Sequence, residues 1–456
     1  MALHIVIMAA GKGTRMKSDR PKVLHRLAGR SLLLHVLDST RPLPARRTLV
    51  IVGHGADQVE KAIHVPGVAF VQQVPQLGTG HAIQQVVPHL DEDGTTLILN
   101  GDVPLIRTET AQALADACGG TRLALLTVTL PDATGYGRIV RDAAGGVAAI
   151  VEHKDATPAQ REIREVYTGM MAAPTAWLKQ AVMALDNRNA QQEYYLTDIV
   201  RMAVAQGLPV VASAARSEAE VRGVNSPAEL AQLERLHQAA QAQALMEAGV
   251  RLADPARLDV RGSLQCGRDV EIDVNCIFEG DVQLGDGVRI GAHCVVRDAR
   301  IDAGAVIHPF THIEQAHVGP GSLIGPYARL RPGAELGAEV HIGNFVEVKN
   351  STLADGAKAN HLAYLGDATV GARVNFGAGS ITANYDGANK HRTVIGNDVH
   401  VGSNCVLVAP VTLGDGATIG GGSTIAKDAP AGQLSVARAK QVALTGWTRP
   451  VKAPKG

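Results

Sequence analysis

The chain has 456 residues, and at roughly 150 residues per domain that length exceeds a single hydrophobic core. Lysine plus arginine total 44 and aspartate plus glutamate total 44, so no overall field favours a polyanionic partner, and nucleic acid is excluded as a substrate class. The five cysteines (Cys118, Cys266, Cys276, Cys294, Cys405) are scattered, odd in number and never in a CxxC pair, which argues against a disulfide framework or a zinc knuckle and for a reducing, cytoplasmic setting.

The opening segment, MALHIVIMAAGKGTRM, has an apolar run without a basic leader or a cleavage region, and it reads as a buried strand, not a signal peptide. No apolar stretch approaches the roughly 20 residues of a spanning helix, so no membrane partner is expected. From residue 4 to about 130, β-rich runs (His4 to Ala10, Thr48 to Gly53, Val68 to Val74, Thr95 to Asn100, Leu123 to Leu130) alternate with helical patterns such as Ser31 to Thr40. That alternation predicts βαβ units on a mostly parallel, Rossmann-like sheet, with ligands at the carboxyl ends of its strands, near Gly11 and Asp102.

Near residue 226 the pattern changes. Ser226, Pro227 and Glu229 form an N-cap, a first-turn proline and a capping-box acid ahead of Leu230, Leu233 and Leu236, and Gly249 is a stop signal. The run between predicts one helix of some 20 residues, roughly 30 Å long, serving as an interdomain arm.

Beyond about residue 260 an aliphatic residue followed by glycine recurs in a phase of six, as in Val318-Gly319, Ile324-Gly325, Leu336-Gly337, Ile342-Gly343, Ile395-Gly396, Val401-Gly402, Leu413-Gly414 and Ile419-Gly420. Such a series predicts a parallel β-helix of hexapeptide repeats whose aliphatic residues stack inward, a narrow interior that suits the 3% aromatic content. The phase breaks once, between Val370 and Ile395, where Asn384-Tyr385-Asp386-Gly387 predicts a loop projecting from the solenoid. The expected organisation is therefore residues 1–226 as a nucleotide-handling domain, 227–250 as the helical arm, and 251–456 as the β-helix with its tail.

The segment Ala9 to Met16 follows a strand, so its glycines can bring backbone N–H groups to phosphates while Arg15 and Lys22 supply charge; it is neither a Walker A sequence nor GxGxxG. Taken alone it also fits a dinucleotide-binding or purely structural turn. AAGKGTRM with Pro21-Lys22, QLGTGHA at 76–82, GDVPL at 101–105, GYGRI at 135–139, EHKDA at 152–156 and GVN at 223–225, with the hexapeptide half, together carry more. They resemble, over essentially the whole chain, the bifunctional N-acetylglucosamine-1-phosphate uridyltransferase / glucosamine-1-phosphate N-acetyltransferase family.

The resemblance implies an α/β nucleotidyltransferase domain, a helical arm and a left-handed parallel β-helix, and two reactions. Acetyl-CoA acetylates glucosamine 1-phosphate in the C-terminal half; UTP then uridylates N-acetylglucosamine 1-phosphate in the N-terminal half, feeding peptidoglycan and lipopolysaccharide precursors. It implies nucleotide contacts at Ala9, Ala10, Gly11, Gly13, Arg15 and Lys22, uracil contacts at Gln73, Gly78 and Thr79, and sugar contacts at Gly137 and Glu152. Asp102 and Asn225 match the pair that holds Mg²⁺. One departure stands in the sugar pocket: the family usually has Asn where this chain has Tyr167, which keeps a hydroxyl and loses the amide.

On repeats alone the solenoid could be only a trimerisation platform. The resemblance instead places sugar-phosphate contacts at Arg331, Lys349, Tyr364 and Asn375, and acetyl-CoA contacts at Ala378, Asn384, Tyr385, Ser403, Gly421 and Arg438, where the family usually carries Ala at the position of Gly421. Acylating an amine requires a base, and histidine's unperturbed pKa lies near working pH, which makes His361 the matching candidate. The other solenoid histidines (His293, His308, His312, His317, His341) lack metal-ligand spacing, and a metal site like that of trimeric β-helix carbonic anhydrases is the lesser alternative. The basic tail from Arg438 to Lys455, with Trp447, either closes over the cofactor or is solvated. Acetyl-CoA sites between neighbouring solenoids imply a homotrimer.

Overall fold

The apolar N-terminal run becomes β1 (Leu3–Ala9), an interior strand of a nine-stranded sheet, in the computed structural model, which describes residues 2–452. Lys455, the end of the basic tail, lies outside the described residues. β1 is flanked in parallel by β2 (Ala45–Val52), which in turn pairs with β3 (Val68–Gln72), and on its other side by β4 (Thr95–Asn100). β5 (Leu123–Thr129), the hairpin β6 (Gly137–Arg141) and β7 (Val147–Val151), β8 (Glu165–Pro174) and β9 (Val210–Ala214) complete it, in the order β9-β5-β8-β4-β1-β2-β3. Both faces of β1 are covered: Ile5 and Ile7 pack with Leu33 and Leu37 of one helix layer, and Val6 packs with Ile83 and Leu178 of the other. A strand buried on both sides reads as a continuous apolar run, and this one does. The helix Leu32–Thr40 starts where Ser31 Oγ accepts from the Leu34 N–H, 3.4 Å away.

β1 to β4 pair with one another in parallel, as expected of a mostly parallel sheet, and the antiparallel minority comes later in the chain. β8 runs antiparallel to both β4 and β5, and the β6–β7 hairpin attaches to it. This inserted strand brings Tyr167 opposite Gly137.

A 21-residue helix, Pro227–Glu247, follows. The division between the two compact units of the chain falls within it, at Ala240 and Gln241. Leu233 is buried beside Leu27 and Leu32, with Leu230 packed against them, but Leu236 is exposed. At 3.6 residues per turn the position beneath Leu230 is 237, not 236, and His237 occupies it, its ring set edge-on to His35 at 5.6 Å.

The second unit is the left-handed parallel β-helix. In the coil 341–357, His341–Asn344 lies on the first face, Glu347–Lys349 on the second and Ser351–Leu353 on the third. First-face strands stack into an eleven-stranded parallel sheet; those of the other two faces join through long N-terminal strands into a sixteen-stranded one. Ile324, Ile342, Ala359 and Phe376 stack inward on the first face and Leu330, Val348 and Leu365 on the second, all buried. The phase break emerges as a loop between the strands Ile381–Ala383 and Thr393–Ile395, at the corner between the second and third faces, pinned by a bridge from Tyr385 to Lys390.

Two candidate active sites

A cleft of about 430 Å³ opens at the carboxyl ends of β1 and β4, the end that the crevice rule nominates. Ala9, Ala10, Gly11 and Lys22 form one wall, Gln73, Gly78 and Thr79 another, and Asn100 and Asp102 the floor. Gly13 takes φ +59, and a Cβ there would meet Lys22 Cβ at 2.8 Å, so the loop closes over Lys22 only with glycine at this position. Gly78 is constrained likewise: at φ +106, an added Cβ would lie 2.7 Å from the Tyr194 carbonyl oxygen. Gln73 donates through Nε2 to the Gly78 carbonyl at 2.9 Å, and the Leu196 N–H donates to Thr79 Oγ1 at 3.1 Å, which fixes that wall. Arg15 is exposed and does not line the cleft.

The floor joins residues far apart in sequence. Lys22 Nζ pairs with Asp102 Oδ2 and donates to Asn225 Oδ1 at 3.2 Å. The Val224 N–H donates to the Asp102 carbonyl at 3.0 Å, and the Asn225 N–H donates to Glu229 Oε2 at 2.6 Å while Ser226 Oγ accepts from the Glu229 N–H. The capping box thus serves the site: its acid reaches back one residue further than the usual box and holds Asn225.

Glu152 follows β7, its Oε1 accepting from Thr197 Oγ1 at 3.0 Å. An added Cβ at Gly137 would lie 3.7 Å from its carboxylate oxygens. Burial raises the Glu152 pKa, and the charges of Asp155 and Asp198 add to that while the Thr197 bond opposes it. Tyr167 is buried within electrostatic reach of Glu152, its hydroxyl has no hydrogen-bond partner, and burial raises its pKa well above the usual value. An acid whose folded pKa is raised contributes stability below its unfolded pKa and loses it as pH climbs through the folded one. Glu152→Gln, which keeps the oxygen that accepts from Thr197, is therefore expected to gain stability over the parent chain as pH rises from the acid range to neutral, with the difference vanishing below the ordinary carboxylate range. Thermal melting across that pH series measures it, and a difference independent of pH contradicts it.

On the solenoid the candidates form two groups. Arg331 Nη1 donates to Glu347 Oε1 at 2.8 Å on the second face; beside it Lys349 lies 3.8 Å from Asp367 Oδ2. Lys390, which the sequence did not single out, lies against Lys349, and that neighbouring charge holds its ammonium below the usual lysine range. Burial pushes the Asp367 pKa up, but hydrogen bonds from Asn350 and Asn384 and the charges of Lys349 and Lys390 outweigh it and leave the carboxyl below its usual range. Two crowded lysines, Arg331 and the Tyr364 hydroxyl make a place for a dianion.

The other group is a column on the corner between the first and second faces. His361, Ala378, Ser403 and Gly421 each stand one residue before the left-handed corner residue of their coil, at Leu362, Gly379, Asn404 and Gly422. His361 Nδ1 lies 2.8 Å from Asn344 Oδ1, one coil below. Because a carbonyl oxygen only accepts, Nδ1 carries the hydrogen, and it is the neutral ring that would present a lone pair at Nε2. Arg438 donates to the Gly421 carbonyl at 2.7 Å, and a Cβ on Gly421 would be no nearer than 3.4 Å to Ser403, so the family's usual alanine would fit. Asn375 lies on the first face, 3.1 Å from His400 Nδ1; Asn384 and Tyr385 sit at the looped corner. Trp447 is exposed.

Residues 5–252 match the MobA-like NTP transferase domain family, and residues 264–298, 315–350 and 392–427 match the bacterial transferase hexapeptide repeat. "Bifunctional protein GlmU" of Methylibium petroleiphilum is 73% identical over 99% of this chain and 99% of its own length. Its namesakes in Paracidovorax citrulli and Acidovorax sp. are 67% and 65% identical, each across 100% of this chain and 99% or 100% of their own. This chain belongs to the GlmU family. Like that family it is a bifunctional enzyme, with a nucleotidyltransferase unit and a hexapeptide acetyltransferase unit that together make UDP-N-acetylglucosamine in two steps. A solved nucleotidyl transferase from Methanothermobacter thermautotroptrophicus covers 51% of this chain and 96% of its own at 19% identity with a TM-score of 0.37, too distant to inform either site. No helix among the described residues is long and apolar enough to cross a membrane.

Proposed function

We propose that the N-terminal cleft binds UTP and N-acetylglucosamine 1-phosphate through those of the matched residues that line or adjoin it, with the exposed Arg15 reaching the phosphates only from outside, and that the pair Asp102 and Asn225 would hold Mg²⁺. The carrying observation is the convergence of Asp102 Oδ2 and Asn225 Oδ1 on one cationic centre, the Lys22 ammonium. Two hard oxygen donors and no cluster of three acids, histidines or cysteines among the described residues fit a cation that takes its remaining ligands from phosphates and water. When bound, Mg²⁺ supplies charge neutralisation for the triphosphate. The loop amides from Ala10 to Gly13 cradle phosphate oxygens, and Lys22 is placed to exchange its carboxylate partner for one of them. Gln73, Gly78 and Thr79 hold the uracil. A sugar phosphate oxygen then bonds to the α-phosphorus of UTP as pyrophosphate leaves. Glu152 faces the sugar, and Tyr167, buried behind it with its hydroxyl lacking a hydrogen-bond partner, stands where the family usually has asparagine.

In the solenoid, Lys349, Lys390, Arg331 and Tyr364 take the phosphate of glucosamine 1-phosphate, and His361 Nε2 accepts the proton as the amine attacks the thioester. Ala378, Ser403, Gly421, Arg438, Asn384 and Tyr385 hold acetyl-CoA. Asn375 on the first face and Lys349 on the second are separated by a corner, so one substrate meets both most simply when the second face of one copy opposes the first face of the next. That requirement supports an assembly of several copies, which we read as a homotrimer, and the chain is read as acting in the cytoplasm. Asn344 positions the base: Asn344→Ala is expected to lower acetyl-transfer kcat by on the order of tenfold, short of the 10²–10⁴-fold of a lost base, with KM little changed. A kcat equal to the parent's removes it. The reading as a whole is tested by supplying each substrate pair to the purified chain and following pyrophosphate and free thiol; absence of either product overturns the corresponding half.

A further inference from the structure

A second cleft of the nucleotidyltransferase unit, about 600 Å³ in volume, opens at the amino ends of β2 and β3. The nucleotide cleft lies at the other end of the same sheet. β2 has eight residues, which at about 3.3 Å each separates the two mouths by roughly 26 Å, so this cleft is no part of the site already described. Arg41, Arg46 and Arg47 line it, and no acidic side chain among the described residues does. All three come from the short connection between the helix Leu32–Thr40 and the start of β2. Pro42 and Pro44 restrict its backbone, Leu43 between them is buried, and the Leu43 N–H donates to the Thr40 carbonyl at 3.0 Å. The guanidinium groups therefore stand on a fixed turn. Leu37, Leu43, Val65 and Val68 give the cleft an apolar floor.

These arginines are short of partners. Asp91 lies 3.0 Å from Arg46 and 3.7 Å from Arg47, and Asp38 lies 2.7 Å from Arg41 and 2.6 Å from Arg30, so two carboxylates serve four guanidinium groups. Elsewhere the pairing is one to one: Arg141, Arg188, Arg268 and Arg373 each hold a carboxylate through two hydrogen bonds. Arg41 makes one such bond, to Asp38. Arg46 and Arg47 meet Asp91 as charges only, and Asp91 Oδ2, although buried, accepts no hydrogen bond. A guanidinium carries five N–H donors in a planar fork, and among the described residues nothing fills those of Arg46 and Arg47.

We propose that this cleft is a second, non-catalytic site of the nucleotidyltransferase unit that takes a phosphate monoester with a compact apolar body. Such a group carries close to two negative charges at neutral pH and three terminal oxygens, which match the two guanidinium groups in surplus and their open forks. The floor takes the body of the ligand. A few polar groups converging over apolar side chains are the common form of a small-molecule site. The two prolines hold the arginines in place before the ligand arrives, which lowers the cost of ordering them.

The test maps arginine modification on the full chain, with UDP-N-acetylglucosamine and Mg²⁺ kept saturating so that the nucleotide cleft stays filled. Phenylglyoxal, which modifies guanidinium groups, is reacted with the chain alone and in millimolar phenyl phosphate, inorganic phosphate or phenol, and the rate at each arginine is read by peptide mass spectrometry. Phenyl phosphate is expected to slow modification of Arg46 and Arg47 at least fivefold and that of the exposed Arg268 less than twofold. Inorganic phosphate should protect at least threefold less well, and phenol not at all. Arg41→Gln is expected to raise the phenyl phosphate concentration for half-protection of Arg46 at least fivefold without changing the melting temperature. Unprotected Arg46 and Arg47 overturn the site, and equal protection of Arg268 overturns it as salt screening. Equal protection by inorganic phosphate overturns the apolar half and leaves an adventitious ion only. Half-protection unchanged in Arg41→Gln overturns the joint action of the three guanidinium groups.

Discussion

Asp102→Ala is expected to abolish UTP-dependent product formation and to leave acetyl transfer within about twofold of the parent chain. The two activities belong to separate compact units, divided at Ala240 and Gln241, and Asp102 touches only the first. Among the described residues its carboxylate is the only acidic group paired with Lys22, and with Asn225 Oδ1 it accepts hydrogen bonds from that ammonium. Removing it withdraws the anionic oxygen from the proposed Mg²⁺ pair and releases Lys22. Phosphoryl-type transfer depends on positioning and charge neutralisation, with no protein nucleophile to compensate, so the loss falls on turnover. Asn225→Ala shows the same selectivity more mildly, because a neutral amide oxygen is a weaker ligand than a carboxylate. Measurable uridyl transfer by Asp102→Ala in saturating Mg²⁺ removes Asp102 from the mechanism. The fold is not at risk in this variant: the contact that ties residues 223–225 to β4 is the Asp102 carbonyl accepting from Val224, which alanine retains.

The solenoid was legible because its signal is repetitive. Each aliphatic-glycine pair is weak, but stacking one residue type inward forces a fixed period, and Ile324, Ile342, Val401 and Ile419 all lie inward on the first face. The arm's N-terminus was legible for a local reason, since Ser226 and Glu229 act within one turn. What escaped were relations between distant segments. Strand direction leaves little trace in a doubly buried run, so β8 carries nothing in Val166 to Ala173 that marks it as antiparallel. Asn344 is 17 residues from His361, and Lys390 lies on an irregular loop beyond the phase break; both reach their partners only because coils stack. Asn100, one residue before GDVPL, lines the cleft and donates to the Thr168 carbonyl at 3.2 Å, tying the floor to the strand that carries Tyr167. The family resemblance supplied the residues on which chemistry is proposed, and Tyr167, the position expected to depart from it, keeps a hydroxyl with no hydrogen-bond partner.

His361→Ala is expected to reduce acetyl-transfer turnover by about 10²–10⁴-fold, the usual contribution of a positioned base, while uridyl transfer persists. The amine of glucosamine 1-phosphate must lose a proton as its nitrogen bonds to the thioester carbon and the thiolate departs. His361 is exposed at the corner, with Nδ1–H directed to Asn344 Oδ1, so that Nε2 is the nitrogen available to take a proton in the neutral ring. The ring is not part of the solenoid core: in its coil the inward positions are Ala359, Ala363 and Leu365, all buried. Deleting it therefore leaves the stacked interior intact, and the melting temperature and assembly should change little. A histidine that served only structure would behave in the opposite way, with lower stability, loss of both activities and no special deficit in the acetyl step. The Asn344→Ala variant adds a second discriminator, because its effect should disappear in the His361→Ala background if Asn344 acts only by holding the ring. Both activities and thermal unfolding measured on the two single variants and the double variant decide the matter. Acetylation by His361→Ala within a few-fold of the parent would end the general-base assignment, and an Asn344→Ala penalty undiminished in the double variant would separate that residue from the base.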